Sequence, residues 1–316
     1  MGNEFKKTIC VIGGANIDLC GSSLEPLRNY DSNPGTISVS FGGVGRNIAQ
    51  ILALLDQKVR FVSCFSSDPY GVEMKQDCEA LGMDCSDSLV IEDLPSSMYI
   101  AILDENRDMK IAMSDMRILR RMSTDVLSSS LSRLSGDDMI IIDANLDMEC
   151  LKLILEEAPC PVAADPVSVS KAERFKDDIG KISVFKPNQF EAASMNGIVI
   201  NTEEEAKESL LWFYHQGVKE TIISLADRGI LLGFEGKAYW LKHRTIEMEN
   251  ATGGGDSFLG AYVSQRLEGQ DVLSAAGFAA SAAVTTIEHN AVARRTLNEE
   301  SVRKAIADMD INIREL

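Results

Sequence analysis

The segment Asn250–Asp256 joins three consecutive glycines to a carboxylate, directly before an apolar run. Glycine backbones reach positive φ and approach ligands closely, and the apolar spacing from Phe258 to Leu267 predicts a helix. The start of such a helix offers backbone N–H donors and the positive end of its dipole, which together predict an anion site. Asp256 would repel an anion, but it could act as a general base beside a bound phosphoryl group. The alternative is a glycine hinge in which Asp256 only caps the helix.

A second glycine-rich helix start is Phe41–Asn47. It runs into apolar residues at helical spacing, which are Ile48, Ile51, Leu52 and Leu55. Because both glycine segments open helices, we interpret them as two walls of one ligand site. Two such walls with a carboxylate base suit transfer of a phosphoryl group to a small polyol. That reaction depends on placement and charge stabilisation more than on a covalent nucleophile.

Polar residues also follow the predicted strands. The strand Thr8–Ile12 runs into two glycines and then Asn16 and Asp18, which could hold a ligand or close the strand as an Asx-turn. The other polar strand ends are Asp143–Asn145, Asp165–Pro166, Lys186–Asn188 and Ala226–Gly229. Helical patterns separate these strands, so we predict an α/β fold with a doubly wound, mostly parallel sheet and a site along its carboxyl edge.

Three further strand candidates stand apart from the alternating strands and helices that follow them. They are Gly35–Phe41, Ser97–Leu103 and Met109–Met113. A polar turn joins the last two, and we predict that all three form a small separate sheet. No linker or repeat divides the chain, so residues 1–316 are expected to form a single domain, with the strands of the small sheet inserted at approximately 12–41 and 96–114.

Composition narrows the function classes. The 31 basic and 48 acidic residues give a net charge of −17, which argues against nucleic acid polymers as partners but allows a small phosphorylated ligand. The sequence has no uncharged apolar run long enough to span a bilayer and no apolar signal region at its start, so we expect neither a membrane span nor a signal peptide. The seven cysteines form no C-x-x-C pair, which favours reduced thiols in a cytoplasmic protein.

Several nucleotide-binding classes lack their motifs in this sequence. There is no G-x-x-x-x-G-K-[ST] loop of a P-loop NTPase, and no H-R-D or D-F-G set of a protein kinase. The segment Gly13–Asp18 lacks the G-x-G-x-x-G spacing of a dinucleotide fold, which disfavours an oxidoreductase.

Three segments resemble the signatures of the ribokinase-like (PfkB) carbohydrate kinases, in the family's order and over nearly the whole chain. They are Phe41–Asn47, the N-x-x-E segment Asn188–Glu191, and Asn250–Asp256. The resemblance implies the ribokinase-like fold, in which the small sheet is a lid, with ATP and Mg²⁺ as cofactors. It also implies a small-molecule acceptor and a homodimer formed through the lid.

The resemblance assigns roles position by position. It implies that Asp256 is the catalytic base and that Gly253, Gly254 and Gly255 donate backbone N–H groups to the transferred phosphoryl. It implies acceptor contacts from Asn16, Asp18, Gly42, Gly43, Asn47, Ser97, Asn145 and Lys171. It implies nucleotide contacts from Asn188, Ser224, Ala226, Gly229, Gly253 and Gly255, and a Mg²⁺ site organised through water by Asn188 and Glu191.

The residues of three other segments are most similar to those of family members that act on pseudouridine. The segments are 97–101, 143–146 and 165–171. They imply phosphorylation of the ribose 5′-hydroxyl of pseudouridine, which gives pseudouridine 5′-phosphate. The alternatives are a kinase for ribose, adenosine or another nucleoside, and a non-catalytic sensor of sugars or nucleotides.

Four positions depart from the family pattern. In the nucleotide loop, Ala226 stands where a glycine is usual and Ser224 replaces a threonine. Gly254 replaces an alanine without removing a backbone donor. Asn250 replaces an aspartate near a monovalent-cation site, which puts activation by K⁺ in doubt.

Some assignments also have a structural alternative. Asn188 and Glu191 have the spacing of a capping box as well as that of the metal motif. Lys171 could be a solvated helix residue. Arg46 could be a phosphate clamp or a surface residue, and His289 could approach the nucleotide, so neither receives a role.

Overall fold

The computed structural model describes residues 6–244, 253–288 and 296–316. Its strands are β1 (Thr8–Ile12), β2 (Asn16–Ser23), β3 (Gly35–Gly42), β4 (Lys58–Val62), β5 (Cys64–Ser66), β6 (Leu89–Ile91), β7 (Met98–Leu103), β8 (Met109–Asp115), β9 (Met139–Asp143), β10 (Val162–Asp165), β11 (Val184–Phe185), β12 (Glu220–Ser224), β13 (Ile230–Phe234), β14 (Lys237–Lys242) and β15 (Asn312–Glu315). Its helices are α1 (Val44–Leu54), α2 (Pro69–Ala80), α3 (Thr124–Leu131), α4 (Met148–Glu157), α5 (Val169–Ala172), α6 (Gln189–Asn196), α7 (Glu203–His215), α8 (Gly254–Leu267), α9 (Val272–Glu288) and α10 (Glu299–Ile306).

The central sheet has nine strands in the order β15-β14-β13-β12-β11-β10-β9-β1-β4. The strands from β4 to β12 pair in parallel, while β12 to β15 pair antiparallel at one edge. The predicted doubly wound, mostly parallel α/β fold is therefore confirmed. The antiparallel edge β13–β15 was not predicted.

Helices cover both faces of this sheet. All five residues of β1 are buried, and they alternate between two cores. Ile9 and Val11 pack with residues of α1, α8 and α9, whereas Cys10 and Ile12 pack with residues of α3, α4 and α7. A sheet covered on both faces has little room for polar side chains within its strands. Polar chemistry is therefore confined to the strand ends.

Close packing between α1 and α8 brings the two glycine-rich helix starts together. Gly260 of α8 lies directly against Ile48 and Ile51 of α1, which are both buried. A larger residue at this position would push the helices apart, because packed interiors have few voids. The helix pair thus sets the distance between residues at the two starts.

A second sheet has the strand order β3-β2-β7-β8. Its register places Asp18, Ser40, Tyr99 and Ser114 in one row across the four strands, and Leu19, Val39, Ile100 and Met113 in the next row. Successive residues of a strand point to opposite faces. One face of the small sheet is therefore largely polar and the other apolar.

The start of β2 differs from the sequence interpretation. Asn16 and Asp18 do not close a strand as an Asx-turn; they lie in β2, where Asn16 pairs with Gly42 and Asp18 with Ser40. Because they are two residues apart in a strand, their side chains share one face.

The predicted strand Val59–Phe65 is also divided. Residues up to Val62 belong to the central sheet, while Cys64–Ser66 pairs with β6 in a small two-stranded sheet. Ser63 separates the two parts: its hydroxyl donates to the carbonyl of Gly13, and its backbone N–H donates to the hydroxyl of Ser88. These bonds redirect the backbone out of the central ladder.

In the described ranges, every helix is too short or too polar to cross a membrane.

Candidate active site

The two glycine-rich helix starts meet through a side-chain hydrogen bond. Asn47 in the first turn of α1 donates from Nδ2 to Oδ2 of Asp256, in the first turn of α8, at 2.8 Å. The residues before the two helices, Gly43 and Gly253, have φ values of 99° and 85°. At Gly43 an added Cβ would lie 2.4 Å from the carbonyl oxygen of Gly14, so only glycine fits this turn.

The acceptor side of the site is built from β2 and the end of β3. Asn16 donates from Nδ2 to Oδ1 of Asp18 at 2.5 Å. The Asp18 carboxylate lies over Gly42, where it occupies the space that a side chain would need. Five of the residues implied as acceptor contacts therefore lie together: Asn16, Asp18, Gly42, Gly43 and Asn47.

Asp143 holds the backbone of this cradle in place. Its Oδ2 accepts N–H groups from Gly14 and Gly45, each at 2.8 Å, and its Oδ1 accepts the N–H of Asn145 at 2.8 Å. The residue is completely buried. Burial raises its pKa, although these backbone hydrogen bonds oppose the shift. In the sequence, Asp143 was recognised as a polar residue at a strand end, but it received no role there.

Lys171 and Asn145 form a hydrogen-bonded pair beside the cradle. Lys171 Nζ donates to Asn145 Oδ1 at 2.7 Å. Burial lowers the pKa of Lys171; the nearby Asp143 carboxylate opposes this shift, and Arg174 adds to it. Arg174 also donates to the carbonyls of Ala144 and Leu146, which fixes the loop that carries Asn145. Lys171 is therefore a half-buried helix residue whose ammonium is held by a hydrogen bond.

Ser97 lies at the junction of β2 and β7. Its backbone carbonyl accepts the N–H of Ile17 at 2.8 Å, and its side chain is 2% exposed. Its hydroxyl has no hydrogen-bond partner within the described residues. Since an unpaired buried hydroxyl is unfavourable, this atom is suited to a water or a ligand group.

A buried lysine lies at the phosphate side of the site. Lys186 Nζ is 3.0 Å from Asp165 Oδ2, and the same Nζ lies against Gly255 at the start of α8. Burial alone would lower the pKa of Lys186, but the charges of Asp165, Asp256 and Glu191 outweigh it and the pKa is raised. The residue therefore stays cationic. Lys186 lies two residues before Asn188 at the end of a predicted strand, but it received no role from the sequence.

The N-x-x-E segment forms a complete capping box at the start of α6. Asn188 Oδ1 accepts the N–H groups of Phe190 and Glu191, and Glu191 Oε2 accepts the N–H of Asn188 at 2.7 Å. Burial raises the pKa of Glu191. With these atoms committed to the cap, the remaining carboxylate oxygen of Glu191 fits a hydrated Mg²⁺, which keeps several of its waters.

A cavity of about 440 Å³ opens beside Lys186. Its polar or backbone lining comes from Lys186, Asn188, Ser224, Ala226, Asp227, Gly229, His243, Gly254 and Gly255. Its apolar walls are formed by Ile222, Ile230, Phe258, Ala283, Val284 and Ile287. This cavity is lined by four of the residues that the resemblance assigns to the nucleotide: Asn188, Ser224, Ala226 and Gly229.

Comparison with known proteins identifies the family. Residues 6–297 match the model of the pfkB family carbohydrate kinases. This chain belongs to that family. Ribokinase-like kinases use ATP, and the protein is accordingly an ATP-dependent sugar or nucleoside kinase.

Individual relatives are similar over most of the kinase. The pseudouridine kinase of Escherichia coli is 32% identical over 276 residues, which cover 87% of this chain and 88% of that protein. The guanosine-inosine kinase of Exiguobacterium acetylicum is 27% identical, over 81% of this chain and 86% of that protein. The solved ribokinase of Thermotoga maritima has a TM-score of 0.82 at 20% identity, covering 96% of this chain and 100% of that one. These likenesses confirm the ribokinase-like fold.

Ala226, which stands where the resemblance implies a glycine, has left-handed backbone. Its φ is 54°, and it lies between β12 and β13, where its loop lines the cavity. Left-handed geometry costs a residue with a Cβ roughly 1–2 kcal/mol. Gly229, which ends the same loop, has a φ of 97°. The kinase thus keeps the loop conformation that a glycine would favour while carrying an alanine.

Arg46 is neither a phosphate clamp nor a surface residue. It is 2% exposed and forms an ion pair with Asp77 of α2. It also donates to the carbonyl of Phe41 and to Gln50. Arg46 therefore ties the start of α1 to α2 and to the end of β3. Asn250 and His289 lie outside the described residues.

Proposed function

We propose that this kinase transfers the γ-phosphoryl group of ATP to the ribose 5′-hydroxyl of pseudouridine, giving pseudouridine 5′-phosphate. The observation that carries the proposal is the Asn47–Asp256 hydrogen bond, which joins the acceptor cradle to the start of α8. The Lys171–Asn145 pair lies beside this cradle at one end, and the charge of Lys186 acts on Asp256 at the other. The similarity to the E. coli pseudouridine kinase supports the choice of acceptor.

In the proposed reaction, Asp256 takes the proton from the 5′-hydroxyl as that oxygen attacks the γ-phosphorus. The bond between the γ-phosphorus and the β,γ-bridging oxygen breaks, and ADP leaves with the electron pair. Charge on the transferred group is stabilised by the N–H groups of Gly253, Gly254 and Gly255 at the positive end of α8. The Lys186 ammonium lies directly behind this cradle and adds a fixed positive charge.

Asn16, Asp18, Gly42, Gly43 and Asn47 would hold the ribose in this proposal. A short carboxylate such as Asp18 can accept hydrogen bonds from two neighbouring hydroxyls. Ser97, Asn145 and Lys171 would contact the base or nearby ribose atoms. The half-buried Asn145–Lys171 pair supports this role, whereas the enclosed hydroxyl of Ser97 would have to rotate to reach a ligand.

The nucleotide would occupy the cavity lined by Ser224, Ala226 and Gly229, whose apolar walls suit a purine. Glu191 would hold Mg²⁺ through the waters of the ion, and Asn188 would organise this site by fixing Glu191 in the cap. When bound, this ion would neutralise charge on the phosphate oxygens of ATP. Activation by K⁺ would depend on Asn250, which replaces an aspartate near the cation site of the family and lies outside the described residues.

The apolar face of the small sheet supports a homodimer. Its exposed apolar residues are Ile37, Val39, Ile100, Ile111 and Met113. Large contiguous apolar patches on soluble proteins mark interaction surfaces. The proposed partner of this face is the lid of a second copy of the chain. The proposed location of the enzyme is the cytoplasm.

A kinase for another acceptor, such as guanosine, inosine, adenosine or ribose, is the second candidate, and the similarity to a guanosine-inosine kinase favours it. The deciding experiment measures ADP release with Mg-ATP for pseudouridine, uridine, adenosine, inosine, ribose and fructose 6-phosphate. We expect the highest kcat/KM for pseudouridine. A preference for another acceptor would keep the kinase and overturn the substrate. Bound ATP without turnover of any acceptor would favour a non-catalytic sensor.

A further inference from the structure

The orientation of the Asn145 amide is determined by Lys171. An ammonium group has three donors and no acceptor, so the atom 2.7 Å from Lys171 Nζ must be the amide oxygen. The reverse orientation would place two donors against each other. The NH₂ group of Asn145 therefore points away from Lys171.

The NH₂ group faces the acceptor cradle. Nδ2 lies next to Gly14, 2.7 Å from the place where a Cβ of that glycine would be. Gly14 is in turn in contact with Gly43, the residue before α1. One N–H of the Asn145 amide is directed to the Asp143 carboxylate. Asn145 and Lys171 are both only partly buried, so their other N–H groups are accessible to a ligand.

The carboxylate nearest to this pair cannot accept a hydrogen bond from a ligand. Asp143 is 0% exposed, and its two oxygens already accept the backbone N–H groups of Gly14, Gly45 and Asn145 and a hydrogen bond from the Asn145 side chain. Arg174, the other charged neighbour of Lys171, supplies only donors. Hydrogen-bond donors therefore dominate this end of the cradle.

We propose that the Asn145–Lys171 donor pair selects nucleosides whose base presents a carbonyl oxygen, such as uracil or hypoxanthine, over those that present an exocyclic amine, such as cytosine or adenine. This inference rests on the proposed nucleoside kinase activity. A carbonyl oxygen accepts from the amide NH₂ or the ammonium. An amine at the same place leaves donors facing donors without partners, and sites built on such hydrogen bonds reject the mismatched group strongly.

The test compares kcat/KM within two matched pairs of acceptors, pseudouridine against pseudocytidine and inosine against adenosine. The wild-type enzyme should prefer the carbonyl member of each pair by about 10-fold or more. Asn145→Asp keeps the shape of the side chain and its bond to Lys171 but turns an acceptor oxygen toward the cradle. It should shift each ratio toward the amino member by about 10-fold or more.

Lys171 variants test the same point independently of residue 145. Lys171→Met frees the amide to rotate, and the preference within each pair should shrink, whereas Lys171→Arg keeps a donor and should retain it. Ser170→Ala removes an exposed hydroxyl of the same helix and should leave the ratios unchanged. If Asn145→Asp does not fold, as judged by thermal melting, the Lys171→Met ratio decides.

Two kinds of result would overturn the inference. The first is a wild-type enzyme that phosphorylates nucleosides but shows no preference within the pairs, or ratios that stay fixed in Asn145→Asp or Lys171→Met; the kinase assignment would then survive. The second is a wild-type enzyme that turns over sugars but no nucleoside at all, which would also overturn the proposed acceptor.

Discussion

Asn47 Nδ2 donates to Asp256 Oδ2 across 209 residues of sequence, at 2.8 Å. The bond joins the helix that follows the acceptor cradle to the helix that begins at the phosphate cradle. It holds one carboxylate oxygen of Asp256 and thereby sets the direction of the other. In the proposed mechanism, this orients the base toward the 5′-hydroxyl before ATP reacts.

Asp256→Asn should keep ATP binding and lose turnover. The amide has nearly the same shape but cannot take a proton, so kcat should fall by about 100- to 10,000-fold. Calorimetric titration with ATP and ADP-release assays would measure the two effects separately. Near-normal turnover in this variant would show that another group is the base.

Asn47→Asp should shift the pH dependence of the reaction. A second carboxylate in contact with Asp256 disfavours the charged form, so the pKa of Asp256 rises and the base is protonated up to a higher pH. The acidic limb of the kcat/KM profile should move to higher pH, with a loss of about 10-fold or more at pH 7. Asn47→Ala, which adds no charge, is the control. An equal shift in both variants would contradict the electrostatic explanation.

Lys186→Met should lower kcat by about 100- to 1000-fold, the usual effect of removing one stabilising group from a developing anion. The substitution also leaves Asp165 buried without its partner, which destabilises the fold. The double variant Asp165→Asn/Lys186→Met removes both charges and should recover thermal stability while turnover stays low.

The control for Lys186 is Lys181→Met, a change at a lysine whose side chain is 43% exposed. It should affect neither stability nor turnover. If the double variant regained full activity along with its stability, Lys186 would be a structural residue only.

Ala226→Gly should stabilise the protein. The left-handed φ of 54° costs alanine roughly 1–2 kcal/mol, and glycine would relieve this strain. Glycine also raises the conformational entropy of the unfolded chain, which offsets part of the stabilisation. A net increase of about 0.5–1 kcal/mol in the free energy of unfolding is expected from urea denaturation. The same change at Ala305, within helix α10, should instead destabilise by about 1 kcal/mol. A loss of stability at Ala226 would contradict the strain.

Ile111→Lys should break the proposed dimer. Ile111 is 62% exposed on the apolar face of the small sheet, and a charge there could not be buried against a second copy. Analytical ultracentrifugation should show a dimer for the wild type and a monomer for the variant. Val90→Lys, at an exposed apolar position of the two-stranded sheet, is the matched control. A monomeric wild type would refute the proposal directly.

The fold class and the local parts of the site could be predicted from the sequence alone. Glycine turns, helix starts and strand ends depend on neighbouring residues, so Gly43, Gly253 and the polar residues after the strands could be recognised in order. The capping box of Asn188 and Glu191 was equally visible, because its hydrogen bonds join residues three apart. The same locality explains why the sequence could not separate that cap from a metal motif.

Which of these parts are in contact could be seen only in the folded protein. The clamp of Asp143 on two loops, the Lys171–Asn145 bond, and the position of Lys186 against Gly255 all join residues from different strands and helices. These contacts depend on the docking of helices onto the sheet to within a few tenths of an ångström, and no spacing in the sequence encodes that distance. The positions of the charged groups also depend on tertiary packing. Most lysines are solvated, but the residues packed around Lys171 and Lys186 hold these two side chains at fixed positions in the site.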